Sequence, residues 1–395
     1  MTNVQPQRPS ILYCPVGMEF EPCDPAELDP IVEHLNRDSQ VQDQVVFSRG
    51  THLQDGRLDL CKQCIGPEGA AKVSRAVANN SQTRHWLLGA NGLGNQGAES
   101  VAKATRENSS LETIYLGCNL IDERGAKPLA EALKQNDHIT GLWLKRNPIG
   151  IEGAKSIVDM LQQNSRLRTL DLVHTRIGSQ GVRLIAEALT QPETSVRRLY
   201  LGGNEIGLRE ADYIANMLNV NQSIHSLYLS VNRLGCEGLK ILASAIERNR
   251  TLFSFSVSSN QIGEDGVWSL VEKIQSHPTL EDLDLGYDNS TNVLGEQPNH
   301  YGDAGAFALA ELLESNSRLR RLNIRRSGVT SVGAERIFKA LELNSNLTHL
   351  TPGQGVSRSL KQKINSQLES NSKSKPQFTL PDHEDILAIK SVYRS

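Results

Sequence analysis

Residues 111–136 read LETIYLGCNLIDERGAKPLAEALKQN, and residues 139–164 read ITGLWLKRNPIGIEGAKSIVDMLQQN. The two stretches begin 28 residues apart (139 − 111) and share apolar residues at positions one, four and six, Asn at position nine and Gly at position fifteen. The same pattern begins at Leu111, Ile139, Leu167, Val196, Ile224, Leu252, Leu280, Leu319 and Leu347, and more weakly at Asp55 and Thr83. The sequence of 395 residues therefore predicts one long array of about ten repeats, and not two or three ordinary domains.

Each position in the repeat has a physical reason. Leu142 and Leu144 alternate with other residue types, which indicates a strand that buries one face. A side-chain amide at position nine can bond backbone groups that a turning chain leaves unpaired, so we expect an internal asparagine ladder. Its predicted members are Asn91, Asn119, Asn147, Asn204, Asn232 and Asn260.

The second half of each repeat predicts a helix. Apolar residues at helical spacing, such as Leu129, Ala130 and Leu133, define its buried face. The glycines before it suit a tight turn, and they are Gly150, Gly178, Gly207, Gly235 and Gly263. A second glycine position suits close approach of helix to strand, and asparagine at the helix end suggests a left-handed residue there. The helix-end asparagines are Asn108, Asn136, Asn164, Asn221, Asn249 and Asn344.

A unit of one strand, one loop and one helix cannot cover its own apolar face, so neighbouring units must stack. We therefore predict an α/β solenoid, curved like a horseshoe, with parallel strands on the concave face and helices on the convex face. Residues 1–54 form an N-terminal cap, 55–350 the repeats, 351–371 a C-terminal capping helix and 372–395 a tail. The step from Leu280 to Leu319 is 39 residues, which predicts an eleven-residue insertion at 289–299 on the rim of the concave face.

The repeats resemble the ribonuclease-inhibitor-like subfamily of leucine-rich repeats, which is also found in the Ran GTPase-activating protein, in tropomodulin and in innate-immunity receptors. The resemblance covers roughly residues 55–370. It implies the horseshoe fold. Because the family includes inhibitors, GTPase activators, actin cappers and ligand sensors, the resemblance does not assign a function.

Composition points to a protein without a nucleic-acid or membrane partner. The net charge is −3, with 42 basic and 45 acidic residues, and no apolar run approaches the length that spans a bilayer. The first residues, MTNVQPQRPS, lack the pattern of a secretion signal, and six cysteines are few for a disulfide scaffold. We expect a cytoplasmic protein, and the sequence gives no indication of its oligomeric state.

Position five of each strand points away from the core and predicts the binding surface. This position carries Tyr115, Trp143, Tyr200 and Tyr228, and glycines at position seven, such as Gly117, predict shallow pockets beside the rings. Aromatic side chains on a solvent face are typical anchors for a protein or peptide partner. The residues predicted to contact the partner are Tyr115, Trp143, Lys145, Asp171, Arg176, Tyr200, Tyr228, Asp284 and Arg325.

Three alternatives to a binding scaffold stay open. The aromatic residues could pack on each other across strands and merely stiffen the sheet. By resemblance to the Ran activator, the chain could be a GTPase-activating protein that delivers an arginine, with Arg146, Arg176 and Arg326 as candidates, although the acidic tail of that activator is missing. It could also be a bacterial effector or sensor, an interpretation that the lack of a second domain disfavours.

Catalytic, cofactor and metal motifs are weak. The stretch GLGNQG at 92–97 matches a dinucleotide fingerprint, but its glycines fall in repeat positions, so no cofactor is predicted. Cys14, Cys23, Cys61 and Cys64 could hold zinc, yet their spacing favours free thiols. Histidines such as His85, His174 and His349 are scattered, and no nucleophile with a base at fixed spacing occurs. We therefore expect a protein that is not an enzyme.

The tail carries a short apolar pattern at Ile386, Leu387, Ile389 and Val392. It is expected to pack on the last repeat or to be disordered, as chain ends often are. The other interpretation is a docking peptide for a partner.

Overall fold

The computed structural model describes residues 21–373 together with Phe378 and Ile389. Within these residues the strands form one sheet in which each strand lies beside the next one in the sequence. The strands are β1 (Val45–Phe47), β2 (Gly50–His52), β3 (Arg57–Asp59), β4 (His85–Leu87), β5 (Thr113–Tyr115), β6 (Gly141–Trp143), β7 (Thr169–Asp171), β8 (Arg198–Tyr200), β9 (Ser226–Tyr228), β10 (Ser254–Ser256), β11 (Asp282–Asp284), β12 (Arg321–Asn323) and β13 (His349–Thr351).

Helices follow the strands and, apart from one short helix in the insertion, line the opposite side of the solenoid. They are α1 (Asp29–Arg37), α2 (Gly66–Val77), α3 (Gly94–Glu107), α4 (Glu123–Leu133), α5 (Gly150–Leu161), α6 (Gly178–Ala188), α7 (Leu208–Val220), α8 (Gly235–Ile246), α9 (Glu264–Ile274), the short α10 (Thr291–Leu294), α11 (Gly302–Ser315), α12 (Ser331–Leu343) and α13 (Arg358–Lys373). The predicted α/β solenoid is confirmed. No helix of the described chain is long and apolar enough to cross a membrane.

The sheet is parallel from β3 onward, and its register follows the repeat. Position four of one strand always pairs with position four of the next, as Ile114 does with Leu142 and Leu142 with Leu170. The N-terminal cap adds two strands that the sequence did not predict: β1 and β2 pair antiparallel, and β2 pairs antiparallel with β3. These two strands extend the sheet beyond the first repeat with residues that have no place in the 28-residue pattern.

One continuous apolar core runs between the sheet and the helices. Inward strand residues such as Leu142 and Leu144 are fully buried, and so is Ile149 in the turn that follows. Gly153 has little room for a side chain, since a Cβ there would lie 2.7 Å from the Ile149 Cβ at the start of its own helix and 3.5 Å from the Ala126 Cβ of the neighbouring helix α4. The two faces of the repeat are thus buried by stacking, as the sequence predicts.

The asparagine ladder at position nine is present. The Asn147 side chain accepts hydrogen bonds from the Asn119 and Ile121 backbone N–H groups at 2.9 and 3.1 Å. Its amide donates to the Leu116 and Leu144 carbonyls at 2.8 and 2.9 Å. A single side chain therefore satisfies four backbone groups in two adjacent repeats, all of them shielded from water.

The helix-end asparagines form a second ladder for a reason that differs from the prediction. Asn108, Asn221 and Asn344 cap their helices with negative φ and extended ψ, so the expected left-handed conformation is wrong. The Asn108 amide instead donates to the Val77 and Asn80 carbonyls of the preceding repeat, at 2.6 and 2.8 Å. Asparagine is favoured here because it bonds across repeats.

The glycines before the helices fall into two groups. Gly150, Gly178 and Gly235 have φ near +60°, where a side chain would be strained, as the predicted tight turn requires. Gly207 and Gly263 have negative φ, so the turn prediction is wrong for these two repeats. Their helices begin one residue later than those that start at a left-handed glycine.

Both ends of the core are covered. At the N-terminus, Asp24 accepts a hydrogen bond from the Ala26 N–H at 2.9 Å and begins a short 3-10 turn, as its Asp-Pro sequence predicts. The Leu28 and Ile31 side chains are then buried against the first repeat. At the C-terminus, the Asn371 amide donates to the Asn344 and Leu347 carbonyls, both at 2.9 Å, and ties α13 to the last repeat.

The insertion lies before the ladder residue of its repeat. Asn299 accepts from the Asn260 N–H at 2.7 Å and donates to the Val257 and Leu285 carbonyls at 2.9 Å. Asn299 is thus the position-nine residue, and the predicted insertion at 289–299 is too late in the sequence. The extra eleven residues lie between Gly286 and Asn299 and include the short helix α10.

We predict that Asn147→Ala lowers the free energy of unfolding by about 3 kcal/mol or more, since several buried backbone groups lose their only side-chain partner. Urea unfolding measures the loss, and hydrogen exchange at the Ile121 amide should accelerate. Asn219→Ala is the control, because this exposed side chain accepts hydrogen bonds only from Arg248 among the described contacts. Equal small losses in both variants would contradict a structural role for the ladder.

Candidate functional site

The candidate site is the concave face, meaning the side of the sheet opposite the helices. In-phase pairing places the position-five residues in one row, with Tyr115 beside Trp143, Trp143 beside Asp171, and Tyr200 beside Tyr228. The row predicted from the sequence therefore exists in space. Asp171 separates it into two aromatic pairs with different surroundings.

The first pair is buried, which contradicts the prediction of an exposed strip. Trp143 has no exposed surface and Tyr115 is only 4% exposed. Both pack with Leu87 and with Ile389 of the tail in an apolar cluster separate from the core. The row lies on the face opposite the helices of the repeats, yet this part of it is occupied by Ile389 of the chain's own tail.

The glycines beside these rings make room for the rings themselves. A Cβ on Gly89 would lie 2.3 Å from the Tyr115 Cε1, and one on Gly117 would lie 2.7 Å from the Tyr115 hydroxyl. A Cβ on Gly141 would similarly lie 2.3 Å from the Trp143 ring. The rings therefore lie close to bare backbone, and Gly89 and Gly117 also line a cavity on this face.

The second pair is partly exposed. The Tyr200 and Tyr228 rings stack with their centroids 4.3 Å apart and an interplanar angle of 9°. Burial of the hydroxyl groups raises the pKa of both phenols, so both stay neutral hydrogen-bonding groups near pH 7. This stack is a rigid apolar surface with polar tips, which suits a binding anchor. It also shows the cross-strand packing that the stiffening interpretation requires.

Charged side chains lie between and beside the aromatic pairs. Asp171 is 1% exposed and accepts a hydrogen bond from the Val173 N–H at 2.9 Å. Burial lowers the pKa of Lys145, and the Asp171 carboxylate opposes that shift. The centre of the face therefore combines opposite charges in a setting of low dielectric, where pairing with a ligand's charges is strong.

Toward the C-terminal end the face becomes polar. The Ser256 hydroxyl donates to the Asp284 carboxylate at 3.1 Å, and the Gly286 N–H donates to it at 2.9 Å. The Ser254 hydroxyl likewise donates to Asp282 at 2.9 Å. Burial raises the pKa of Asp284 to about 6, although these hydrogen bonds favour its charged form.

The insertion reaches over the concave face. The Arg146 guanidinium donates to the Ser290 hydroxyl at 3.0 Å, and Arg233 pairs with Glu296 at 2.7 Å. Beneath it lies a cavity of about 750 Å³. Its lining includes six predicted site residues, namely Tyr115, Lys145, Asp171, Tyr200, Tyr228 and Asp284, together with Val293 and Leu294 of the insertion.

Three predicted site residues do not line this cavity. Trp143 is covered in the tail cluster. Arg325 donates to the Asn289 side chain at 2.6 Å and lies over the Tyr287 ring, so it holds the insertion. Arg176 is exposed in the loop after β7. The role of these nine residues in binding a partner stays a prediction.

The motifs set aside from the sequence also find structural roles. In GLGNQG, Gly92 and Gly94 have φ of 64° and 56°, and the Gly94 N–H donates to the Asn119 carbonyl, so the glycines form the repeat turn. Cys23 is buried, and its N–H donates to the Cys64 carbonyl at 2.8 Å. Within the described residues no three metal-ligating side chains gather, and Cys14 lies outside those residues.

Sequence reasoning missed two tail contacts and the polar end of the face. Ile389 does not pack on the last repeat as expected, but on β4 to β6, while Phe378 stacks on Phe253 with ring centroids 5.6 Å apart. The apolar pattern in the tail was the available signal. It indicated a docking segment without indicating the surface.

Comparison with known proteins supports the fold. Residues 163–186 match the family model described as Leucine Rich repeat. The chain has no significant sequence similarity to a curated protein. Among solved structures, a chain of the Rad7 and Elc1 complex in yeast is similar, with TM-score 0.54 and 16% identity over 87% of this chain and 81% of that chain. Leiomodin-1 actin-binding site 2 matches with TM-score 0.32 and 14% identity, over 49% and 89% respectively.

The fold is that of a leucine-rich-repeat solenoid, and one of its repeats matches the family model. The ribonuclease-inhibitor-like subtype stays a prediction. The strands and helices alternate without closing into a ring, and the insertion and Ile389 of the tail cover parts of the concave face.

We predict that Asp284 makes stability depend on pH. A folded-state pKa near 6, against an ordinary 3.8, means that the folded protein takes up the proton more readily, so this contribution is present below pH 4 and lost as pH rises through 6. Relative to Asp284→Asn, the wild type should lose about 2 kcal/mol of unfolding free energy between pH 4 and 7. Urea unfolding at these pH values measures the difference.

The exposed Asp212→Asn variant corrects for the loss of one negative charge. A difference between wild type and Asp284→Asn that stays constant from pH 4 to 7 would show that Asp284 is not desolvated.

Proposed function

We propose that this chain is a non-catalytic interaction scaffold that binds a protein or peptide on its concave face. The observation that carries the proposal is the row of Tyr115, Trp143, Asp171, Tyr200 and Tyr228, whose side chains are not needed by the core between sheet and helices. A solenoid core is complete without aromatic residues on the opposite face. Their presence there is best explained by contact with another chain segment.

The geometry suits an extended segment with apolar and polar side chains. The Tyr200–Tyr228 stack offers a flat anchor, while Lys145, Asp171 and Asp284 offer charges on either side. The cavity of about 750 Å³ below the insertion is large enough for several side chains of such a segment. Partner binding would thus combine apolar anchoring with charge recognition.

The histidines of the face support a binding role over acid–base catalysis. His85 bonds the Thr113 hydroxyl at 2.9 Å, and His174 bonds the Gly203 carbonyl at 3.2 Å. His349 bonds the Thr348 hydroxyl at 2.9 Å. Each ring is held by a structural neighbour, and burial lowers the pKa of all three, which favours neutral imidazoles.

The GTPase-activating alternative stays a prediction. An activating arginine must reach a nucleotide on the partner. Arg146 is bonded to Ser290 and Arg326 lies over the Tyr287 ring at 4.5 Å, so two of the three candidates are engaged by the insertion region. A GTP hydrolysis assay with small GTPases separates this activity from simple binding.

The structural relative is compatible with a scaffold. The similar chain belongs to the Rad7 and Elc1 complex, so a fold of this kind occurs there in a protein assembly. The likeness extends to the fold alone. The proposed partner of this chain is inferred from the residues of its concave face.

We expect the double variant Tyr200→Ala and Tyr228→Ala to lose capture of the partner from native lysate by tenfold or more, because two central aromatic anchors typically carry much of the binding energy. Quantitative mass spectrometry of the captured proteins measures this, and circular dichroism checks the fold.

The control removes aromatic rings from the other side of the molecule, in the double variant Trp268→Ala and Phe307→Ala on α9 and α11. These side chains are 38% and 39% exposed. A protein captured by wild type and control, but not by the concave variant, supports the proposal. Equal capture by a folded concave variant would count against it.

A further inference from the structure

Two residues of the tail lie on the repeats at widely separated places. Ile389 is fully buried among Leu87, Tyr115 and Trp143, beside strands β4 to β6. Phe378 lies near the other end of the sheet, where the Arg321 guanidinium is 5.0 Å from its ring centroid. The tail therefore has an anchor near each end of the concave face.

Phe378 is held by aromatic and cationic neighbours together. Its ring stacks on Phe253, with the His349 ring 6.5 Å away, and the Arg320 guanidinium lies 5.5 Å from its centroid on another side. Such cation–π contacts add to the apolar burial of a ring. Together these neighbours form a defined contact site for the Phe378 ring.

A single chain segment can join the two anchors. Phe378 contacts residues in or directly before β10, β12 and β13, and Ile389 contacts β4 to β6, so four to nine strand spacings of about 4.8 Å separate the contacted strands. The middle strands of the two sets, β5 and β12, are seven spacings apart, roughly 34 Å. The eleven residue steps from 378 to 389 can span about 36 Å when extended. The two contacts are therefore mutually compatible along the concave side.

The sequence between the anchors has a distinct chemistry. Residues 378–389 read FTLPDHEDILAI, with Asp382, Glu384 and Asp385 as the charged groups and no Lys or Arg. The concave face carries Lys145 and Arg146 shortly after β6, the strand that ends at Trp143. Acidic groups in the segment and basic groups beside its Ile389 contact are complementary in sign.

We propose that the segment 378–389 is an intramolecular ligand of the concave face, and that the site around Trp143 takes a peptide with a buried aliphatic anchor and acidic residues before it. In this arrangement the tail occupies the surface that a partner would use. The competition with a partner rests on the proposed function, whereas the occupancy by the tail stands on Ile389 and Phe378 alone.

Trp143 provides a direct measure of occupancy in the full chain. Of the chain's three tryptophans, Trp86 is buried in the core, Trp268 is 38% exposed on the helix side, and Trp143 is the one that contacts the described part of the tail, at Ile389. Ile389→Asp places a charge in the apolar cluster and should release the tail. We expect the emission of Trp143 to shift to the red and its quenching by acrylamide to rise at least twofold.

A synthetic peptide of residues 374–395 then tests the ligand in trans. Added to the Ile389→Asp chain, it should restore the protected emission. The same peptide with Asp at 389 should bind at least about tenfold more weakly, which is the effect expected from loss of one buried aliphatic side chain. Restoration by the native peptide alone supports the proposal.

Two controls make the result specific. Leu343→Asp introduces the same change of character at a side chain that is 77% exposed on α12, and should leave the emission unchanged. Trp143→Phe should abolish the response to Ile389→Asp. An unchanged Trp143 signal in Ile389→Asp overturns the proposal, and so does a native peptide that fails to restore the protected emission. Protection that depends on protein concentration also overturns it, because the occupant would then be the tail of a second copy.

Competition is measured separately with the partner identified by concave-face capture. Ile389→Asp should increase its capture at least threefold, and unchanged or reduced capture would overturn the competition. The fluorescence experiment needs no partner, so its failure refutes tail occupancy without touching the scaffold proposal. If no protein is captured specifically through the concave face while Trp143 stays protected from acrylamide, the scaffold proposal is refuted instead.

Discussion

The whole structure depends on satisfying buried backbone groups where each strand turns toward its helix. At that turn the backbone can no longer form the hydrogen bonds of the sheet. Its unpaired N–H and C=O groups are buried, so water cannot bond them either. Asparagine at position nine supplies both a donor and an acceptor, and it bonds its own repeat and its neighbour at once, as Asn147 does. Stacking, register and the spacing of the repeats all follow from this arrangement.

The exceptions show how strict the requirement is. In the β7 repeat Thr175 replaces asparagine, and its hydroxyl still donates to the Leu172 carbonyl at 2.7 Å, while its N–H bonds Asn204. In the β12 repeat Ser327 donates to the Ile324 carbonyl in the same way. The insertion in the β11 repeat lengthens the chain before Asn299 and leaves the ladder intact. Inserted residues are tolerated where they do not interrupt the asparagine ladder.

A fixed register has a consequence for the opposite face. Because position five of every strand meets position five of the next, a few substitutions along the sequence create a continuous surface. Here the surface changes from apolar at Tyr115 and Trp143, through the Tyr200–Tyr228 stack, to serine and aspartate at Asp284. The insertion and the tail cover different parts of it, so the open face of a simple solenoid becomes a partly occupied groove.

The amino-acid sequence by itself determined the repeat, the alternation of strand and helix, the ladder and the row of position-five residues. These follow from a period of 28 residues, because identical local units can stack in phase in only one register. The antiparallel cap strands β1 and β2 were not predicted, since they lie outside that period. The burial of Trp143 by Ile389 and the hydrogen bond from Arg146 to Ser290 join residues 246 (389 − 143) and 144 positions apart. Only the tertiary structure decided these contacts, because a tail and a loop follow no period, and their positions depend on the shape and chemistry of the surface that they meet.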